Sequence, residues 1–254
     1  MNILEKIINE KQKDLPAARI LSAKPAAPTQ KDFAGALTRK NGMPALIAEL
    51  KRKSPSKGDI RTNISVEEVV NLYEPFAAAM SILTETRHFG GSLTDLSTAS
   101  SLTKTPLLRK DFLIDPVQVK ESRLFGADAY LLIMAALSDS QFEEMLHAGR
   151  ELNMPALVEV HNEKETERAL KQDIHILGIN NRNLEDLSID LNTTSRVLDA
   201  LSSEVKLKLK IVSESGLSKK EDLTGLPHEV DAVLMGTAIM SSDDPAAFLK
   251  SIFA

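Results

Sequence analysis

The residues richest in chemistry lie in Ile47 to Ile60, IAELKRKSPSKGDI, where an apolar strand pattern runs into Glu49, Lys51 and Lys53 and then into a Ser-Pro-Ser-Lys-Gly loop. Successive strand side chains alternate faces, so these three charges are expected to point one way, above Ile47 on the same face. Half-buried charges are destabilising unless paired, so such a row requires either a structural partner or an anionic ligand. The motif recurs. LLRKDF places Leu108, Lys110 and Phe112 on one face, and ALVEV sets Glu159 beside Leu157. GINNRN puts Asn180 with Arg182, and IVSESG puts Glu214 with Val212. For any single case a structural ion pair explains the charge equally well. For the set, convergence of Lys51, Lys110, Glu49, Glu159 and Glu214 is expected to lower the lysine pKa values through mutual repulsion and burial. It would also poise the carboxylates as proton acceptors.

The elements that must position these groups are apolar, β-rich runs at Ala45–Leu50, Ala79–Glu85, Pro106–Asp111, Ala129–Met134, Ala156–Val160, Ile176–Asn181, Lys210–Ser215 and Ala232–Thr237. Helical patterns alternate with them, and their starts carry capping chemistry: Ser65 with Glu68, Ser138 with Gln141, Asn162 with Glu165, and Ser218 with Glu221. Asp115-Pro116 and Asp244-Pro245 each add a cap followed by proline at the first helical position. Pro75 ends the first of these helices near Glu74. Eight strand–helix repeats with fully apolar strands such as AYLLIM point to a parallel sheet covered on both faces, closed as a (β/α)8 TIM barrel. An open doubly wound sheet is the competitor, but it usually has fewer strands, and no glycine-rich dinucleotide fingerprint is present.

The expected organisation is one domain over residues 1–254, with a helical extension over 1–44 and the barrel over 45–254. In ILEKIINEK, Ile3, Leu4, Ile7 and Ile8 share one side of a helix. Pro25 and Pro28 interrupt the pattern, and Lys31 to Arg39 can form a second short helix. Packing on the barrel exterior and covering the active-site mouth are both open to this extension.

In a barrel of this kind the active site forms at the carboxyl ends of the strands, which is where the charged residues fall. Ser215-Gly216 and Gly236-Thr237 follow the last two strands and can offer close backbone amides where barrels commonly seat phosphate. Ser54 and Arg182 can complete the cradle with a hydroxyl and a guanidinium. A sugar phosphate is the simplest ligand that satisfies both cues.

Composition narrows the classes further. The 254 residues are 43% hydrophobic with a net charge of −5, and there is no tract of basic residues interleaved with aromatics, which disfavours nucleic-acid binding. The absence of cysteine excludes disulfides, a thiolate nucleophile and thiolate metal sites. The first 19 residues carry Glu5, Glu10 and Asp14 and have the character of neither a secretory signal nor a transit peptide, and no apolar run reaches membrane length. A cytoplasmic protein with no membrane partner is expected, and a free-standing monomer.

The segments IAELKRKSPSKG, LLRKDFLIDPVQV, ALVEVHNEKE, GINNRNLEDL, VSESGL and LMGTAIM together resemble indole-3-glycerol phosphate synthase, and the resemblance spans essentially the whole chain. ILEKIINEK is similar to that family's N-terminal helical segment, which lies over the barrel mouth. The resemblance implies conversion of 1-(o-carboxyphenylamino)-1-deoxyribulose 5-phosphate into indole-3-glycerol phosphate, carbon dioxide and water, a step of tryptophan biosynthesis. It implies that Lys110 is the general acid on the substrate ketone and that Lys51 and Glu159 serve the later dehydration, their division into acid and base left open. Glu49 would orient the lysines, while Asn180, Glu214 and Ser215 hold hydroxyls and the charge network. Phe89, Phe112, Leu131, Leu184 and Leu187 match the family's apolar wall for the anthranilate ring. No step is a redox step, so no cofactor is expected.

Some residues stand outside that pattern. Of the two loop lysines, Lys53 is the better candidate than Lys57 for a phosphate or carboxylate contact. His161 lies two residues beyond Glu159, but no second histidine has metal-ligand spacing, so it reads as a packing or loop residue and no metal site is expected. Asp111 faces away from Lys110 and reads as structural, bonding Arg109 or a loop. Two rival readings are a phosphoribosylanthranilate isomerase, whose family typically employs a catalytic cysteine that this chain lacks, and a sugar-phosphate binder that has lost catalysis. The second is disfavoured by the presence of Lys51, Lys110 and Glu159 together.

Overall fold

The computed structural model describes residues 2–21, 31–184 and 186–253. The prolines at 25 and 28 therefore lie outside the described residues. Eight parallel strands close into a barrel: β1 (Ala45–Leu50), β2 (Ala79–Leu83), β3 (Leu107–Lys110), β4 (Ala129–Ile133), β5 (Ala156–Val160), β6 (Ile176–Asn180), β7 (Lys210–Glu214) and β8 (Val230–Met235). Each pairs with the next, and β8 returns to β1 with Ala45 opposite Ala232. Strand ends match the sequence reading to within two residues. Strand β8 is shifted by two residues at both ends and starts at Val230 because Asp231, a break in the apolar run, is satisfied there: its carboxylate accepts from the Ile211 amide and pairs with Lys210 at 3.1 Å.

Alternation along the strands divides the core in two. Outward residues such as Leu46, Ile82, Tyr130, Val158 and Ile179 pack under the helical layer, together with Val70, Tyr73, Phe142, Val197 and Leu249. Inward residues Ile47, Leu108, Leu131, Leu157, Val212 and Leu234 fill the barrel. The helices begin as their caps dictate. Ser65–Glu68 and Ser138–Gln141 form reciprocal capping boxes, and Asn162 accepts from the Glu165 amide. Ser218 with Glu221 does not cap its helix. The carboxylate that accepts the Ser218 and Lys219 amides belongs to Asp222, one residue later, so the helix begins one residue later as well.

The extension before the barrel splits between its two ends. Helix α2 (Phe33–Ala36), shorter than the expected span, sends buried Phe33 and Leu37 into the interior cluster beside Ala79, Ala129 and Ala232, whose small side chains leave the space. Arg39 donates to the Val230 carbonyl and the Lys31 amide donates to Asp128, fixing this segment at the amino-terminal end of the strands. Helix α1 (Ile3–Leu21) lies at the opposite end. Lys11 pairs with buried Asp111 at 2.6 Å, and Glu10 and Asp14 meet His88 and Arg87 in the loop after β2. No helix among the described residues is long and apolar enough to cross a membrane.

Candidate active site

On four of the eight strands the inward face changes from hydrocarbon to charge within one alternation step. Ile47 is followed by Glu49, Leu108 by Lys110, Leu157 by Glu159, and Val212 by Glu214, all at the carboxyl ends of β1, β3, β5 and β7. The side chains meet. The Lys110 ammonium donates to Glu159 Oε2 at 3.0 Å and to Glu214 Oε2 at 2.9 Å. Asn180 Nδ2 donates to the other Glu159 oxygen at 3.0 Å. Lys51 Nζ lies 3.4 Å from Glu49 Oε1 and 5.4 Å from the centre of the Phe89 ring, a cation–π distance. Behind β1 the buried Tyr73 hydroxyl donates to the Glu49 carbonyl and fixes that strand end.

The electrostatics reverse one expectation. Burial works against the Lys110 charge, but Glu159, Glu214 and Glu49 outweigh it and hold the ammonium well above its ordinary pKa. Mutual repulsion was expected to lower the lysine values. Instead Lys110 faces carboxylates, and attraction dominates there. The two acids that grip Lys110 also diverge. Burial acts to raise Glu159, yet Lys110, His161 and Asn180 hold its carboxyl far below the usual range. Glu214 is raised, first by burial and then by the neighbouring carboxylates of Glu159 and Glu49, with Lys110 only partly offsetting them. Glu49 Oε2 and Glu214 Oε1 are buried without a hydrogen-bond partner among the described residues, which leaves two acceptors at the site for hydroxyl donors.

A cavity of about 280 Å³ opens at this mouth. It is lined by Glu49, Lys51, Phe89, Lys110, Phe112, Leu131, Glu159, Asn180, Arg182, Leu184, Glu214, Ser215, Gly216, Gly236 and Thr237. Ser54 and Leu187 line a smaller adjoining pocket, closed by Ile3, Leu4 and Ile7 of α1. This settles the place of α1: it covers part of the mouth. Lys53 is the exception among the sequence candidates. Strand β1 ends at Leu50, the chain turns, and Lys53 enters a separate two-residue ribbon opposite Asp59, its ammonium 3.3 Å from that carboxylate and its side chain 44% exposed. Alternation therefore does not carry through to position 53, and Lys57 rather than Lys53 lines the main cavity.

Close approach explains the glycines here. A Cβ on Gly236 would sit 2.5 Å from Glu49 Oε1, and one on Gly178 would sit 2.3 Å from Glu214 Oε1. Ser215 and Gly216 are both left-handed, with φ of 67° and 85°. A non-glycine residue in that region is strained by about 1 kcal/mol or more, so something must hold it. Asn181 does, donating to the Ser215 carbonyl at 3.1 Å while its own oxygen accepts from Thr194.

Several positioning residues were not found from sequence. The buried Glu85 carboxylate accepts the amides of Arg87, His88 and Phe89, folding the loop that presents the Phe89 ring. Asp111 likewise accepts the Phe112 amide, and it bonds Arg109 as expected, at 3.2 Å. The two rings then pack at 5.9 Å between centroids. Ile133, two residues beyond Leu131 on the same face, also lines the cavity and was accessible from alternation alone. Of the packing and loop roles open to His161, it takes the loop one: it follows β5 and stands between Glu159 and Glu165, 3.2 Å and 2.9 Å away.

A family model described as indole-3-glycerol phosphate synthase matches residues 4–252. The indole-3-glycerol phosphate synthase of Polaromonas naphthalenivorans is 40% identical, over 99% of this chain and 98% of the relative. That of Laribacter hongkongensis is 39% identical over 100% and 99%. Among solved structures, the thiamine phosphate pyrophosphorylase from Pyrococcus furiosus superposes with a TM-score of 0.59 at 15% identity, covering 87% of this chain and 96% of that one, a likeness of fold alone.

Proposed function

The chain belongs to the indole-3-glycerol phosphate synthase family, and we propose that it closes the indole ring of indole-3-glycerol phosphate from 1-(o-carboxyphenylamino)-1-deoxyribulose 5-phosphate, releasing carbon dioxide and water. The observation that carries this reading is the Lys110 ammonium held between Glu159 and Glu214 at the strand ends, beside the glycine loops that follow β7 and β8. The substrate brings a phosphate and a carboxylate. Gly216, Gly236 and Thr237 line the cavity and can offer backbone amides to the first, with Lys57 and Arg182 on the same cavity, while Lys51 is assigned to the second.

The chemistry then follows from charge. A neutral aromatic carbon is a weak nucleophile, so the ketone must be polarised as the new carbon–carbon bond forms. Lys110, kept fully charged, supplies that polarisation and gives its proton as the ketone oxygen becomes an alkoxide. Loss of carbon dioxide returns the bond electrons to the ring. Dehydration next needs an acid for the departing hydroxyl and a base for the proton that leaves with it. Lys51 is assigned as the acid and Glu159, held ionised, as the base. From the substrate carboxylate, the overall change consumes one proton. Phe89, Phe112, Leu131, Leu184 and Leu187 form the wall for the anthranilate ring, and the free oxygens of Glu49 and Glu214 take substrate hydroxyls. We assign the protein to the cytoplasm as a monomer, acting without metal or cofactor.

The test is direct because the chain has no tryptophan and only two tyrosines, so the protein adds little background to indole fluorescence. Purified protein given the carboxyphenylamino deoxyribulose phosphate is expected to produce indole fluorescence at a rate unchanged by EDTA. No signal would exclude the reaction, and loss on chelation would require a metal.

A further inference from the structure

Among the groups that the proposed reaction leaves unused, His161 is the most constrained. Its side chain is 9% exposed. Nε2 lies 3.2 Å from Glu159 Oε1, close enough for an ion pair though misaligned for a hydrogen bond, and Nδ1 lies 2.9 Å from Glu165 Oε2. Glu165 is itself fixed by the cap of the helix Glu163–Ala169: it accepts the His161 amide at 2.9 Å and Asn162 Nδ2 at 2.8 Å, and its own amide donates to Asn162. The helix cap therefore sets the plane of the imidazole. Other charges nearby are accounted for. Lys110 stands beyond Glu159, and Arg196 and Asp190 line the same 520 Å³ polar cavity as His161, with Arg196 paired to Glu163 and Asp190.

We propose that the His161 imidazolium is a positioning residue for Glu159, the second cation that keeps this carboxylate ionised and aimed at the substrate after Lys110 has given up its proton. This role rests on the proposed reaction. Once Lys110 is neutral, a lone buried carboxylate would take up a proton and could no longer act as the base in dehydration. A cation on the far side of Glu159, out of the reacting cavity, prevents this. His161 is suited to the task because Glu159 and Glu165 together overcome burial and raise its pKa to about 10.

The experiment has a variant arm and a wild-type arm. In His161→Gln, which keeps a donor and removes the charge, kcat at pH values on the acid limb is expected to fall about tenfold with KM within about twofold. The acid limb of the kcat–pH profile should move upward by about one unit, with activity recovering at higher pH. Glu165→Gln should shift the limb in the same direction by less, and serves if the first variant does not fold. A merely structural role would lower the melting temperature and leave the limb in place. In wild-type protein with ¹⁵N-labelled histidine, both ring nitrogens of His161 should stay protonated through pH 8, whether or not substrate turns over. An unmoved limb in an active variant, or a neutral ring at pH 7, overturns the inference. Absence of indole from the wild type while the ring stays charged would overturn the reaction itself, and His161's part in it, while leaving the ion contact intact.

Discussion

The two mouths of the barrel are ends of the same eight strands, and they are finished in opposite ways. At the amino end, Phe33 and Leu37 fill a space left by Ala79, Ala129 and Ala232, and the interior is hydrocarbon. At the carboxyl end, one alternation step further, Glu49, Lys110, Glu159 and Glu214 face each other, two carboxylate oxygens have no hydrogen-bond partner among the described residues, and Ser215 is held in a strained conformation. Stability and chemistry are thereby separated along the barrel axis. The charged mouth is tolerable because the other end and the helical layer bury so much apolar surface.

Substitutions can break this contrast or sharpen it. Glu159→Gln, at the charged mouth, is expected to lower kcat about 10²- to 10³-fold with little change in melting temperature, read by indole fluorescence and thermal denaturation. Phe33→Ala, at the apolar mouth, should do the reverse: a loss of about 3–5 kcal/mol in unfolding free energy, from urea titration, with kcat per folded molecule unchanged. A large kcat loss from Phe33→Ala would erase the separation.

The cover over the charged mouth should behave in between. Lys11→Ala removes the α1 partner of Asp111 and is expected to destabilise by about 1–3 kcal/mol and raise KM several-fold. Burial acts to raise Asp111, but Lys11 and then Arg109 hold its carboxyl down at about 2. A depressed carboxylate contributes stability that is fully present above its unfolded value of about 3.9 and lost as pH falls through about 2. Wild type should therefore lose more stability than Asp111→Asn between about pH 4 and pH 2, measured by urea midpoints. The smallest effect is expected from Lys53→Ala. Among the described residues its ammonium pairs with the exposed Asp59 alone, so both kinetic constants should stay within about twofold.

Much of the charged mouth was legible in the sequence because Glu49, Lys110, Glu159 and Glu214 each stand one alternation beyond an apolar residue, and a period of two survives in any parallel strand. Lys110, Glu159 and Glu214 were found that way. Lys53 was misplaced by the same rule, since the pattern carries no sign that β1 stops at Leu50 and the chain turns. The direction of the Lys110 shift was also out of reach, because it depends on which charges meet across the barrel. Asn181 works through a contact between loops, with Ser215 34 residues away, while Glu85 and His161 act within a turn of chain whose shape the pattern does not encode. The seat of α1 was open from its helical stripe alone, and became defined only by ion pairs to Asp111, His88 and Arg87.

The proposed reaction requires Lys110 to act on bound substrate as a charged acid, and one variant examines this most directly. Lys110→Ala should bind the carboxyphenylamino deoxyribulose phosphate with affinity close to wild type, by calorimetry, while its rate of indole formation at saturating substrate falls by about 10³-fold or more. Indole formation at the wild-type rate by that variant, with binding intact, would contradict it.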